Sequence, residues 1–479
     1  MARSLNELDQ KLSRSALIAL VIGSMVGSGI FALPASFARA TGALGAMIAW
    51  VIAGTGMLML AFVFQSLSRR RPDLDAGIYA YARAGFGDYV GFASASGYWI
   101  GCCLADVACL VLIKATLGQF FPIFGDGTTP VAIGSASLLL WAVHFLVLRG
   151  IKNAAALNSI ATYAKIVPIL LFIVVAVFAL DRELFASSFW GTELPDIRKV
   201  FTQVRGTMLL TVFVFVGIEG ASVYSRYASD RNDIGAATVI GFLTVLALLI
   251  LVTLLSYGAL PRQDLAELPT PSMAGVMESM VGRWGSVFIS VALLISILGN
   301  YLSWSLLAAE VLHSAAVNRT MPSFLASVNS RDAPAGALWL TNCAIQAFLL
   351  VTWFAEYAFT LALKMTSAMT LVPYFFVAAY GVMLAWSGET YASGDRARKI
   401  DGIRSCVATL YAAAMIYAGG PKFLLLSAIL YAPGTVLFLL AKRERGEVAF
   451  KPLEAFMFAA IAIAAGAGVY ALTVGAISI

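Results

Sequence analysis

The chain has 479 residues, 60% of them hydrophobic and only 12% charged, with a formal net charge of +6. This composition excludes an ordinary soluble globule, because apolar runs of about 18 residues or more recur along the whole length, each able to cross a hydrocarbon core of about 30 Å. The positive charge does not imply nucleic acid either: the basic residues gather in alternate loops, the pattern that orients a membrane protein. Cys102, Cys103, Cys109, Cys343 and Cys406 lie in apolar segments without CxxC spacing, which argues against a disulfide framework or a zinc site and reads as buried thiols.

The amino terminus, residues 1–14, is polar and lacks an apolar core or a small-residue cleavage site, so it reads as a cytoplasmic tail. Hydropathy then places about 13 spans. The first five run from Ser15 to Ala38, Leu44 to Leu67, Tyr89 to Phe121, Val131 to Leu148 and Leu157 to Leu180. The next five run from Gly206 to Tyr227, Ile234 to Leu260, Trp284 to His313, Ala335 to Phe354 and Tyr357 to Trp386. Three more follow, near Ile403 to Ala418, Phe423 to Ala441 and Ala455 to Val474. With the amino terminus inside, the loops carrying Arg69 to Arg71, Arg149, Lys152, Arg226, Arg319, Arg396 to Arg404 and Lys442 to Arg445 all fall on the cytoplasmic side, as the positive-inside rule requires. The expected product is a multi-pass protein of a bacterial cytoplasmic (inner) membrane.

The first span contains Gly23-Ser24-Met25-Val26-Gly27-Ser28-Gly29-Ile30-Phe31. Each Gly weakens a helix interior by about 1 kcal/mol relative to Ala. In hydrocarbon a broken backbone persists only beside protein or a cavity. Small residues four apart, as in Gly23 and Gly27, also allow close helix packing, so packing and a binding site both account for the stretch. A second glycine interruption, Gly217-Ile218-Glu219-Gly220, stands at the corresponding place in the sixth span. Two interrupted spans in two five-span groups predict an inverted repeat, residues 15–180 and 206–386, with a site near the midplane between the breaks and residues 403–479 as three added spans.

Asp106, Lys114, Lys165, Glu219 and Lys364 are ionisable residues within the spans, where charge costs at least about 2.5 kcal/mol and needs a partner, a cavity or neutralisation. Glu219 sits inside the second break, placed to hold a proton, a water or a substrate group, or else to bond a neighbouring helix and stabilise packing. Asp106 and Tyr98 together suit an organic cation, through charge pairing and the ring face; an ion pair of Asp106 with Lys114 or Lys364 is the alternative. Lys165 either places its ammonium among carbonyls freed by the first break or snorkels to the cytoplasmic interface. Lys114 reads as a snorkelling residue at the outer end of its span. Phe31, Tyr98, Phe213 and Trp304 lie on the spans that would face the breaks.

These motifs, with Pro72-Asp73-Leu74-Asp75-Ala76-Gly77-Ile78-Tyr79-Ala80-Tyr81, Gly85-Phe86-Gly87, Phe145 to Lys152 and Gly217 to Ser222, resemble the amino acid-polyamine-organocation superfamily, most closely its basic amino acid antiporters of the arginine/ornithine type. The resemblance implies an all-α polytopic fold of two inverted five-helix repeats with discontinuous first and sixth spans. It further implies that the common end of an amino acid meets the backbone of Gly27, Ser28, Gly29 and Gly217. Tyr98, Asp106, Phe213, Trp304 and Thr366 would complete the substrate site, with Trp304 as a gating ring and Thr366 at the side chain. Glu219 would serve gating or coupling, and Lys165 would stand in for a sodium ion. Phe213 stands where arginine/agmatine exchangers carry a tryptophan, and Asp106 where they carry an asparagine, so the added carboxylate favours a more cationic or differently placed side chain.

The implied function is exchange of a cationic amino acid, arginine, for ornithine or a related product by alternating access. Proton-coupled uptake of a basic amino acid and exchange of lysine/cadaverine, arginine/agmatine or histidine/histamine are the alternatives. A sensor or a membrane-embedded enzyme fits less well, since no signalling domain, paired carboxylates, metal spacing or nucleophile constellation is seen. No cofactor or metal is implied; the partners are small amino acids and the lipid bilayer, without nucleic acid, and a homodimer is compatible with the pattern.

Overall fold

A computed structural model describes residues 14–74, 78–149, 154–191, 196–219, 231–355, 357–392 and 394–478. Most of the cytoplasmic tail, Gly220 and Ser222 of the second break, Asp75 to Gly77, and Gly150 to Lys152 lie outside the described residues. Among the described residues the chain is helical, without a strand.

In chain order the helices are α1 (Arg14–Met25), α2 (Leu33–Ala40), α3 (Ala43–Arg70), α4 (Ile78–Phe86), α5 (Asp88–Gly118), α6 (Pro130–Leu148), α7 (Ala154–Phe178), α8 (Arg182–Ser187) and α9 (Ile197–Phe213). They continue with α10 (Arg231–Ser256), α11 (Arg262–Glu267), α12 (Ser272–Val281), α13 (Arg283–Val317), α14 (Ala335–Val351), α15 (Ala358–Ser387), α16 (Arg396–Glu444) and α17 (Pro452–Thr473). Among the described residues nine helices are long and apolar enough to cross a membrane, and the bent pair α1 and α2 makes a tenth. The chain is therefore an all-α polytopic membrane protein, as the sequence predicts.

Hydropathy expects about three more: of these, α7 is apolar over Ala164–Phe178 only, α9 ends at Phe213 with residues 220–230 outside the described residues, and α16 is a single long helix with a kink. Helix α16 has 49 residues, about 74 Å at 1.5 Å per residue, more than twice the hydrocarbon thickness of about 30 Å. Gly420, at φ +77°, interrupts it just before Pro421. A side chain other than hydrogen is strained at that φ, and proline cannot supply the next helical N–H, so the two residues divide α16 into two helical halves.

Helix α5 is the axis of the packing, with α13 and α15 along its length and α4 and α14 at its flanks. At the cytoplasmic face ion pairs tie the helix ends together. Lys442 Nζ lies 2.8 Å from both Asp88 and Glu447, Arg83 Nε is 2.9 Å from Asp88, and Arg70 Nε is 3.0 Å from Asp401.

Two expectations about side chains change. Lys114 does not snorkel: it is buried, 5.8 Å from the ring of Phe124, because the chain after Gly118 folds a short 3-10 turn back over it. Cys102, Cys103 and Cys109 are buried as expected, but Cys343 and Cys406 are exposed on the outer sides of α14 and α16. In lipid an apolar neighbourhood does not mean the protein interior, and a thiol is apolar enough to face acyl chains.

Candidate functional site

The first break falls where its glycines stand. Helix α1 ends at Met25, Gly27 is extended at φ −110° and ψ −167°, Ser28 to Ala32 form a 3-10 turn, and α2 resumes with Pro34 in its first turn. Pro34 lacks an N–H where an α-helix leaves one unused, so it starts the second half without loss. The axis turns by 46° between the halves. The second break follows α9: residues 214–219 are a chain of turns, with Phe215, Val216 and Ile218 N–H groups donating to Val212, Phe213 and Phe215 carbonyls at 3.1 Å.

The breaks are packed on each other, which explains two of the glycines without invoking a ligand. Gly217 has φ +108°, and a Cβ there would lie 2.5 Å from the Ser24 carbonyl oxygen. A Cβ on Gly29 would lie 2.9 Å from the Phe213 ring. Gly27 differs. Its nearest neighbour would be Asn300 Nδ2 at 3.5 Å, an ordinary contact. That open side belongs to a cavity lined by Gly27, Ser28, Gly29, Phe213, Asn300 and Trp304, among others. Its volume is about 20 Å³, room for about one water. A cavity of that size does not hold an amino acid.

Of the residues expected at the substrate site, Gly27, Ser28, Gly29, Phe213 and Trp304 meet at this cavity, and Gly217 lies behind it against Ser24. Tyr98 is engaged elsewhere. Its hydroxyl donates to Glu219 Oε1, while Tyr374 Oη donates to Glu219 Oε2 at 2.6 Å and the Gly217 N–H donates to the same oxygen at 3.2 Å. Glu219 thus binds the second break to α5 and α15. Thr366 does not reach the cavity wall: it is buried between α15 and α5, and its hydroxyl donates to the Ala362 carbonyl at 2.9 Å.

Asp106 is fully buried and pairs with neither Lys114 nor Lys364. Ser305 Oγ donates to its Oδ2 at 2.8 Å, and Oδ1 has no hydrogen-bond partner. One turn further along α5, Cys109 Sγ lies 4.0 Å from Ser28 Oγ, so this face of α5 adjoins the first break. An acceptor left unsatisfied in the interior is costly, and Asp106 is not among the residues that line the cavity. Lys165 is also buried, and its Nζ donates to the Gly23 carbonyl at 3.4 Å, on the last turn of α1. The ammonium therefore caps the break and does not reach for the interface, supplying positive charge at a helix carboxyl end where it is favourable.

Sequence reasoning missed Asn300, Ser305 and the bond from Tyr374 to Glu219. Asn300 is 6% exposed, its Nδ2 has no hydrogen-bond partner, and it lines the cavity. A signal was present: Asn300 precedes Trp304 by four residues, which places both on one face of a helix. Among the described residues no group of three or more His, Cys, Asp or Glu side chains gathers as a metal site would require.

A family model described as amino acid permease matches residues 12–441. The chain belongs to that family, in the amino acid-polyamine-organocation superfamily. Its relatives match end to end. The arginine/ornithine antiporter of Pseudomonas aeruginosa is 52% identical, over 97% of this chain and 98% of the relative. The L-lysine transport protein of Corynebacterium glutamicum is 41% identical, covering 98% and 96%. The arginine/agmatine antiporter of Chlamydia pneumoniae is 36% identical, covering 98% of each. This member of the permease family thus keeps its broken helices and buried charges within a length shared with transporters of basic amino acids.

Proposed function

We propose that the chain exchanges arginine for ornithine, or a closely related cationic pair, across the cytoplasmic membrane, with no covalent step. The observation that carries the reading is the fully buried Asp106 with one unpartnered oxygen, on the face of α5 that adjoins the first break. A cationic side chain supplies the missing donor and charge, and the full-length likeness to an arginine/ornithine antiporter supports that choice. The common end of the amino acid meets the extended backbone at Gly27 and Ser28, where Asn300 Nδ2 offers a further donor to a carboxylate.

The small cavity is a closed state, and alternating access opens it to one side at a time. The two breaks are the moving joints of inverted repeats spanning residues 15–180 and 206–386, with residues 403–479 as an outer addition. Glu219 is the latch: separation of α9 from α5 and α15 must break its bonds to Tyr98 and Tyr374. Lys165 holds the carbonyl end of α1, and Trp304 closes over the bound substrate from α13.

Counterflow in proteoliposomes tests this. Labelled arginine should enter vesicles loaded with ornithine and stay out of empty ones. Accumulation in empty vesicles under an imposed pH gradient would replace exchange with proton-coupled uptake.

A further inference from the structure

A second cavity, of about 580 Å³, opens at the ends of α1, α3, α10 and α16. These ends share one membrane face, and the basic residues they carry mark it as cytoplasmic. Arg14, Arg69 and Arg404 line the cavity together with Phe62, Val239 and Ile240. It has more room than the space between the breaks and an entirely different wall. Arginine supplies its charge, Gln65 a neutral amide, and an aromatic ring with aliphatic side chains the apolar part.

Among the described side chains, two of the three guanidinium groups have no counter-charge. Among the described residues neither Arg14 nor Arg69 makes an ion pair, and Arg69 Nε reaches only the Gln65 carbonyl at 3.4 Å. Arg404 lies 3.8 Å from Asp401 and 4.1 Å from the centre of the Phe62 ring. The Arg404 contact is to Asp401 Oδ1, while Asp401 Oδ2 accepts from Arg70 Nε at 3.0 Å, Ser66 Oγ at 2.8 Å and Tyr391 Oη at 3.2 Å, so one carboxylate is shared among several donors. Three cations converge on one cavity, and among the described side chains one carboxylate, Asp401, is paired with a cation of that wall, which it shares with Arg70. Such a site attracts an anion with several acceptor oxygens, and guanidinium pairs with phosphate through parallel N–H···O bonds.

The apolar wall narrows the choice. Ile240 and Leu243, one turn apart on α10, are 40% and 48% exposed on the outside of the bundle. They continue the cavity wall into the bilayer, where an acyl chain would lie. A soluble phosphate has no use for that wall.

We propose that this cavity is a binding site for an anionic glycerophospholipid of the inner leaflet, its phosphate held by Arg14, Arg69 and Arg404 and an acyl chain lying along Ile240 and Leu243. The bound lipid fastens the amino-terminal half of the broken first span to α3, α10 and α16. The proposal is independent of which amino acids are exchanged.

Purified full-length protein, delipidated in a neutral detergent, is titrated with phosphatidylglycerol, phosphatidylcholine and inorganic phosphate, with affinity read by native mass spectrometry and by the melting temperature. Phosphatidylglycerol should bind and raise the melting temperature; the other two should not. Basic residues near an anionic headgroup contribute about five-fold each in affinity. Arg14→Gln, at a helix start remote from the packed core, should therefore weaken phosphatidylglycerol about five-fold, and the triple Gln variant by roughly 100-fold. Unchanged affinity in Arg14→Gln or in a folded triple variant overturns the site, as does equal binding of phosphatidylcholine. Inorganic phosphate binding as tightly as phosphatidylglycerol overturns the lipid and leaves a soluble anion in its place.

Discussion

Helices α5 and α17 are near twins in hydropathy and opposites in the fold. Of the apolar window in α5, 94% is buried inside the protein, against 6% for α17. Lipid is as apolar as a protein core, so hydropathy brings both into the membrane and says nothing of which one the protein surrounds. Their polar residues do discriminate. Within its length α5 carries Ser94, Ser96, Tyr98, Asp106 and Thr116, all buried, while the middle of α17, from Ala455 to Val469, has no polar side chain at all. Polar groups in a span need partners, and partners exist only in the interior.

Substitutions at matched positions sharpen the contrast, and the largest effect is expected at the carboxylate of α5. Asp106→Asn keeps size and the bond from Ser305 but removes the charge. Affinity for arginine and ornithine should fall by about 10- to 100-fold, the value of a hydrogen bond to a charged group, while binding of any neutral amino acid stays within a factor of two. Competition against labelled arginine measures it, and equal losses for both classes would return Asp106 to packing.

Next comes backbone approach. A Cβ on Gly97 of α5 would lie 1.9 Å from Tyr431 Oη and 3.1 Å from the Met369 carbonyl. Gly97→Ala should lower stability by about 2 kcal/mol through overpacking, read as a lower melting temperature in detergent.

A smaller effect links the two regions. Lys442 bridges Asp88, at the start of α5, to Glu447 in the loop before α17, and this hydrogen-bonded ammonium holds the Glu447 carboxyl below its usual range. A lowered folded pKa contributes stability above the ordinary carboxylate range and loses it as pH falls through the lowered value. The melting temperature should drop slightly on acidification, and Glu447→Gln should remove that part of the drop.

The smallest effect is expected in α17. A Cβ on Gly466 meets nothing within 4 Å, so Gly466→Ala should change stability by no more than about 0.5 kcal/mol. A loss as large as that of Gly97→Ala would mean that α17 is covered in the assembled protein, by a second copy or another chain.

The glycine stretch shows how far reading the chain could go. Gly23 to Gly29 and Gly217 announce two breaks because helix propensity is local, and the breaks form at Gly27 and Gly217, while Gly23 stays within α1. Sequence left close packing and a binding site as rivals for the whole stretch. The fold divides the stretch between them: Gly29 and Gly217 are required by contact between the breaks, whereas Gly27 faces the cavity and Asn300. Asn300 itself passed unnoticed because a neutral amide in a span raises no electrostatic alarm, and its unpartnered Nδ2 is a property of neighbours far apart in the chain.

What the sequence by itself determined is the class of molecule, an all-helical membrane chain, together with the place of its breaks and four ionisable residues, Asp106, Lys114, Lys165 and Glu219, that are buried. These follow from local quantities, namely side-chain transfer energy, helix propensity and the sign of loop charge. Tertiary structure alone decided who meets whom. It took Tyr98 from the cavity and gave it to Glu219, paired Asp106 with Ser305 in place of a lysine, set Lys165 on the Gly23 carbonyl, and gathered Arg14, Arg69 and Arg404 from three helices. Each of those pairings closes over tens to hundreds of residues, and a bilayer that accepts every apolar face alike leaves no trace of them in the hydropathy of any one span.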